Sequence, residues 1–244
     1  MAQQSVRDES PAPKVNIYGV NAIGKHIGQA VITAILLFVG AGSLDWGWGW
    51  VLAVVYTACW IGLSIALAVG NPELLNQRGQ RIKKATVGTK KWDLVLLSIY
   101  FVLVLVQPFV AGLDWRNAWS PPVPTVVAVL GNVMMILGFV VMTWSMIANR
   151  YFEPSVRIQE SRGHQVATGG PYRFVRHPGY AGVVLQFLAL PIAVGTWVAM
   201  IPGVVGIAVF VVRTALEDRT LQQELPGYVE YAQKTTYRLI PGLW

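Results

Sequence analysis

Apolar residues in this chain fall into six long runs, at about 27–44, 48–70, 93–113, 124–147, 179–195 and 197–216, with the charges pushed into the gaps between them. A helix rising 1.5 Å per residue needs about 20 apolar residues to cross a bilayer core. The second, third, fourth and sixth runs meet that length, and the first and fifth fall slightly short. Only 13% of the chain is Asp, Glu, Lys or Arg and 54% is hydrophobic, against about 25% charged in a soluble domain. That leaves too little polar side chain to coat a water-facing surface. Lipid also leaves no partner for free backbone N–H and C=O groups, so a spanning segment of this kind must be helical. The expected fold is all-α, a multi-pass transmembrane helical bundle, and the lipid bilayer is its first partner.

The same pattern excludes several functions. A single cysteine, Cys59, cannot form an internal disulfide, and the three histidines (His26, His164, His177) are too scattered for a metal cluster. No metal is expected. The net charge of +7 does not mark a nucleic-acid surface, because the basic residues sit between apolar runs, where they report topology. Segment 71–92 carries Arg78, Arg81, Lys83, Lys84, Lys90 and Lys91, and 149–178 carries Arg150, Arg157, Arg162, Arg173 and Arg176. Threading six spans places all the basic residues except Arg116 on one side, which the positive-inside rule makes cytoplasmic, with both termini there. Trp46, Trp48, Trp50, Trp115, Trp119 and Trp197 fall near the opposite boundary, as in an aromatic belt. Residues 1–26 read as a polar cytoplasmic tail, 27–148 as N-terminal membrane helices and 149–244 as the region that carries chemistry. No cleavage site follows the first apolar run, so the reading is of an uncleaved anchor.

Polar sequence is concentrated at 149–178 and 213–244, flanking a hairpin of the last two runs turned at Gly195-Thr196. Pro191 and Pro202 interrupt that hairpin, so neighbouring helices must satisfy the carbonyls they free. In the first stretch Gly169, Gly170 and Pro171 break any helix, and Pro178 suits the first turn of the next one. That places a helix N-terminus, with free N–H groups, beside Arg173, Arg176 and His177, a setting that favours an anion. Basic residues here also serve simply to anchor a span. In the second stretch Arg213 and Glu217 stand four residues apart on one helix face, as an ion pair or as functional groups at the membrane boundary. An amphipathic helix bearing Leu221, Leu225, Tyr228 and Tyr231, broken at Pro226-Gly227, is expected to lie on the membrane and cover the loop region.

Together, GPYRFVRHPGYAG (Gly170–Gly182), RTALED (Arg213–Asp218), Leu221, Gly227-Tyr228, Tyr231 and RLIP (Arg238–Pro241) resemble the isoprenylcysteine carboxyl methyltransferases and their phospholipid methyltransferase relatives. The upstream NPELLNQRG (Asn71–Gly79) is similar to bacterial members. The resemblance is strong over about 149–244 and weak before it. It implies a membrane enzyme that uses S-adenosylmethionine. Carried over residue by residue, it implies cofactor contacts at His164, Gln165, Val166, Ala167, Tyr172, Arg176, His177, Pro178, Gly179, Tyr180 and Glu217, with an earlier polar contact at Arg157 or Gln159. It implies a catalytic, substrate-holding role for Arg213. The second acid of the family's pair is Asp218 here. The implied acceptor is a lipophilic small molecule or a prenylated chain.

A carboxylate acceptor needs no general base, because it is already an anion. Catalysis is then alignment of nucleophile, methyl carbon and sulfur, and an arginine fork suits the carboxylate. Competing readings are a phospholipid N-methyltransferase, a sterol-reductase-like membrane oxidoreductase, and a transporter. The last is opposed by the mild polarity of the span interiors, where Thr57, Ser64, Gln107, Thr143 and Gln186 stand.

Overall fold

In a computed structural model of the chain, residues 14–80 and 88–244 are described. Five helices are long and apolar enough to span a bilayer: α1 (Ile17–Ala41), α2 (Gly47–Gly70), α4 (Lys91–Asn117), α5 (Thr125–Ala148) and α7 (Met200–Glu224). The sixth apolar run forms the shorter α6 (Pro178–Val194). Two short helices, α3 (Pro72–Arg78) and α8 (Tyr228–Lys234), lie at the ends of spans. The chain is thus an integral membrane helical bundle, and among the described residues it has no strand.

The first helix starts earlier than its apolar run. Asn16 caps it, accepting from the N–H groups of Tyr18 (2.9 Å) and Gly19, and the polar Lys25-His26 pair lies inside it. His26 is buried with its Nδ1 2.8 Å from the Ser64 hydroxyl and its ring stacked on Trp60. Part of the segment read as the loop 71–92 is also helical, because Asn71 caps α3 through the N–H of Leu74 at 3.1 Å and Pro72 occupies its first turn. Arg81, Lys83 and Lys84 lie outside the described residues.

Helices α5 and α6 pack backbone to backbone. A Cβ on Gly182 would stand 2.6 Å from the Gly138 carbonyl, and one on Gly138 2.8 Å from the Gly182 carbonyl. Such close approach is how helices associate where the surrounding lipid is as apolar as leucine. Pro191 removes the N–H that would bond the Phe187 carbonyl, and Gln107 of α4 replaces it, its Nε2 donating to that oxygen at 2.7 Å. The polar Gln107 in mid-span therefore satisfies a helix, as the prolines required.

The hairpin turns where expected, with Gly195 at φ +72°. Its turn is tied to the α4–α5 connection by Asp114, fully buried, which accepts from the N–H groups of Ser120 (2.8 Å) and Val198 (2.9 Å). The tryptophan belt is only partly a belt. Trp50, Trp119 and Trp197 are exposed, but Trp46 is buried and stacks on Trp115 at 5.2 Å, joining α4 to the start of α2.

Candidate active site

The connection between α5 and α6 (residues 149–177) and the end of α7 with α8 form a cleft of about 750 Å³ of empty space, part of it open to solvent. Its walls include Gln159, His164, Gln165, Val166, Ala167, Tyr172, Arg176, His177, Gly179, Tyr180 and Glu217. Apart from Pro178 and Arg213, every singled-out site residue lines this one cleft. Arg157 lines it as well, and it pairs with Glu153 at 2.7 Å, which holds its guanidinium above the usual range. Pro178 is buried at the first turn of α6 behind it.

The loop is shaped by its own polar contacts. Gln159 is buried, donating through Nε2 to the Tyr151 carbonyl at 2.8 Å and accepting from Arg162. The Tyr151 hydroxyl donates to the Gly163 carbonyl at 2.7 Å, and its ring packs on His164 with centroids 4.7 Å apart. Burial, reinforced by the nearby Arg162 charge, lowers the His164 pKa. Tyr172 stands in a short helical turn (Gly170–Arg173). Its hydroxyl accepts from Asn149 at 3.2 Å and its carbonyl from the Tyr231 hydroxyl at 2.7 Å. Burial raises the pKa of both phenols, that of Tyr231 to about 12, so both remain neutral hydrogen-bonding groups.

Arg176 is occupied structurally. Its fork grips Asp218 through Nε (2.7 Å) and Nη2 (2.9 Å), and Nη1 donates to the carbonyls of Thr235 and Thr236, both at 2.9 Å. Asp218 also accepts from Arg238 and the Tyr228 hydroxyl, each at 2.9 Å, and lies 3.3 Å from His177 Nε2. The buried Asp218 is thus the hub that fastens the C-terminal segment to the start of α6. It is more than a variant of a second acid. Leu225, Tyr228 and Tyr231 accordingly pack with Tyr172 and form a lid over the cleft, with the break at residues 225–227 letting α8 fold back.

Glu217 is different from its neighbour. It is half-buried, its hydrogen-bond partner among the described residues is the Tyr180 hydroxyl, and it faces the cleft. The expected alternative of an Arg213–Glu217 ion pair is not formed. Arg213 turns instead to Asp93 of α4, donating through Nε at 2.7 Å, and to the Pro154 carbonyl, while its guanidinium lies over the Tyr180 ring. Asp93 also accepts from the Val156 N–H at 2.7 Å. Asp93 and Glu153 were the residues that sequence reasoning missed, and of Asp218 it missed the structural role. Asp93 gave one signal, a lone acid at the start of an apolar run, which lipid tolerates only when it is partnered.

Beside the cleft, between the helices, lies a larger and mainly apolar chamber of about 1950 Å³ of empty space, part of it open to the outside. Arg213 lines this chamber. Phe152, Glu153, Ser155 and Tyr180 line both spaces, so the polar cleft and the apolar chamber meet at these side chains.

Fold and site therefore define an integral membrane protein in which a cleft of mixed polar and apolar lining adjoins a mainly apolar chamber. Residues 126–226 match the family model described as phospholipid methyltransferase. A probable protein-S-isoprenylcysteine O-methyltransferase of Oryza sativa subsp. indica is 34% identical over 117 residues, covering 44% of this chain and 58% of the relative. Protein-S-isoprenylcysteine O-methyltransferase B of Arabidopsis thaliana is 33% identical over 113 residues, covering 43% and 54%. The chain spans a little over half the length of these curated relatives. The resemblance to isoprenylcysteine carboxyl methyltransferases read from the C-terminal motifs is borne out.

Proposed function

We propose that this protein is an S-adenosylmethionine-dependent methyltransferase acting on a lipophilic acceptor that reaches the chamber from the bilayer. The observation that carries this reading is the junction at Phe152, Glu153, Ser155 and Tyr180 between a cleft that carries the free Glu217 carboxylate and a chamber whose lining is far more apolar. A methyl donor that is charged and an acceptor that is greasy need two such spaces, meeting at one point.

The donor set of the cleft fits this cofactor. Glu217, with no cation bonded to it among the described residues, offers a carboxylate to an ammonium or to ribose hydroxyls. Residues 164–167 offer backbone groups to the adenine edge, and Tyr172 and Tyr231 supply neutral walls. When bound, the cofactor supplies an electrophilic methyl group. The protein's part is to align the acceptor with it and exclude water. His177 and Arg176, committed to Asp218, are positioned to shape the cleft and to hold its N-terminal helix turn. Arg213, neutralised by Asp93, is assigned to fixing the Pro154–Val156 segment and the Tyr180 ring at the junction. Glu153 stands at the junction too, but its carboxylate is bonded to Arg157, which favours an anionic acceptor over an amine needing a free acid.

We also propose, from the distribution of basic residues, that both termini and the basic loops face the cytoplasm. Cysteine labelling in intact cells tests this, since an impermeant reagent should reach a cysteine at 116 and not one at 90. The decisive test of the activity is incubation of the purified protein with methyl-labelled S-adenosylmethionine, a membrane lipid extract and S-farnesylcysteine, followed by mass spectrometry. Transfer to a lipophilic product is expected, and cofactor binding without any labelled product in either pool would overturn the acceptor assignment.

A further inference from the structure

One part of the chamber wall, beside α3, is polar. Lys25, His26, Gln29, Gln80 and Arg78 line it. Lys25 Nζ donates to the carbonyls of Arg78 and Gln80, both at 3.2 Å. Among the described residues Arg78 takes part in no ion pair and its buried Nη1 has no hydrogen-bond partner. The nearby acid, Glu153, is bonded to Arg157. Burial pushes the Arg78 guanidinium down to about 10, so it stays charged at neutral pH.

Arg78 is half-buried, and a cation whose inner donor is buried and unmet is costly and calls for a partner. The fold nonetheless holds Arg78 there firmly. The next residue, Gly79, lies so close to α1 that a Cβ would overlap the Tyr18 carbonyl at 1.6 Å. Asn76 in the same turn accepts from the Asn16 N–H at 3.0 Å and donates to the Lys14 carbonyl at 2.9 Å. The guanidinium lies 5.9 Å from the centre of the Phe152 ring, one of the side chains at the junction with the cleft. Arg213 also lines the chamber, but Asp93 already neutralises it.

We propose that Arg78 is the anion anchor of the chamber: it binds the carboxylate of a lipophilic acceptor whose apolar tail fills the space between the helices, with Lys25 adding to the local positive field. This rests on reading the chamber as the acceptor's site. It assigns the substrate's charge to Arg78, in a segment whose basic residues otherwise only report topology, and leaves Arg213 as a positioning residue.

The test compares binding of hexadecanoate and hexadecanol, equal in chain length and differing in charge, to the full chain in nanodiscs of zwitterionic lipid. Wild type is expected to bind the carboxylate roughly 10- to 150-fold more tightly, the range expected for hydrogen bonds to a charged group. Arg78→Gln should erase that preference while leaving hexadecanol binding unchanged, and Arg78→Lys should restore part of it. A carboxylate carrying a photoreactive group beside its head should crosslink in wild type to residues 71–80 or Phe152, which keeps the idea testable if Arg78→Gln does not fold. Equal binding of acid and alcohol, a preference that survives Arg78→Gln, crosslinking elsewhere, or no binding of either compound would each overturn the proposal. S-adenosylmethionine binding measured on the same preparations reports separately on the methyltransferase reading.

Discussion

Removing the charge of Asp93 should do more harm than removing any other acid within a span. Asp93 is fully buried and Arg213 is 4% exposed, so water screens their interaction very little. The carboxylate accepts from Arg213 and from the Val156 N–H, and the Lys90 N–H donates to the Val156 carbonyl at 3.2 Å. One side chain therefore joins α4, α7 and the segment that lines both cavities. Asp93→Asn leaves Arg213 charged and buried with no counter-charge bonded to it among the described residues, held by neutral partners such as the Pro154 carbonyl and the Tyr180 ring.

Breaking a buried pair from one side costs about 3–5 kcal/mol, whereas replacing both partners with apolar residues costs far less. Asp93→Asn is thus expected to lower stability by about 3–5 kcal/mol, and Asp93→Leu with Arg213→Met to recover most of it. The assay is thermal unfolding in detergent followed by intrinsic tryptophan fluorescence, with methyl transfer measured in parallel. The double variant should regain stability but not turnover, because Val156 loses its acceptor and the junction loses the cation over Tyr180. A single variant within about 1 kcal/mol of wild type, or a double variant whose loss equals the sum of the two singles, would refute the reasoning.

Glu217→Gln should weaken S-adenosylmethionine binding by about 1–3 kcal/mol in calorimetry while the melting temperature stays near wild type, since among the described residues Glu217 bonds Tyr180 alone. Asp218→Asn should have the reverse character: it strands Arg176 and Arg238, so limited proteolysis should release the segment after residue 225 while the membrane helices remain intact. His164 supplies the pH dependence. Its folded-state pKa lies below the usual 6.5 because of burial and Arg162. Its contribution is therefore fully present above about 6.5 and is lost as pH falls toward the lowered value. Stability should decline on acidification through that window, and His164→Gln should flatten the decline.

The membrane bundle, the hairpin turn and the residues that gather at the cleft were all legible in the order of the amino acids. Each rests on local chemistry: run length against bilayer thickness, Gly195 where a left-handed turn is needed, Pro178 at a helix start, and motif residues close in the chain to the α6 N-terminus. Even Gln107 was foreseeable in kind, because Pro191 had to free a carbonyl that some neighbour would meet. The partners of the charges emerge from the packing of the helices. Arg213 had Glu217 one turn away, yet it bonds Asp93, 120 residues distant in the chain. Asp218, adjacent to Glu217, turns the other way to hold Arg176 and Arg238. Adjacent residues on a helix point about 100° apart, so which one meets a cleft and which one meets a neighbouring segment depends on how the helices are rotated against each other. That rotation is set by packing, through contacts such as Gly138 on Gly182 and Gly79 on Tyr18, which join residues far apart in the sequence.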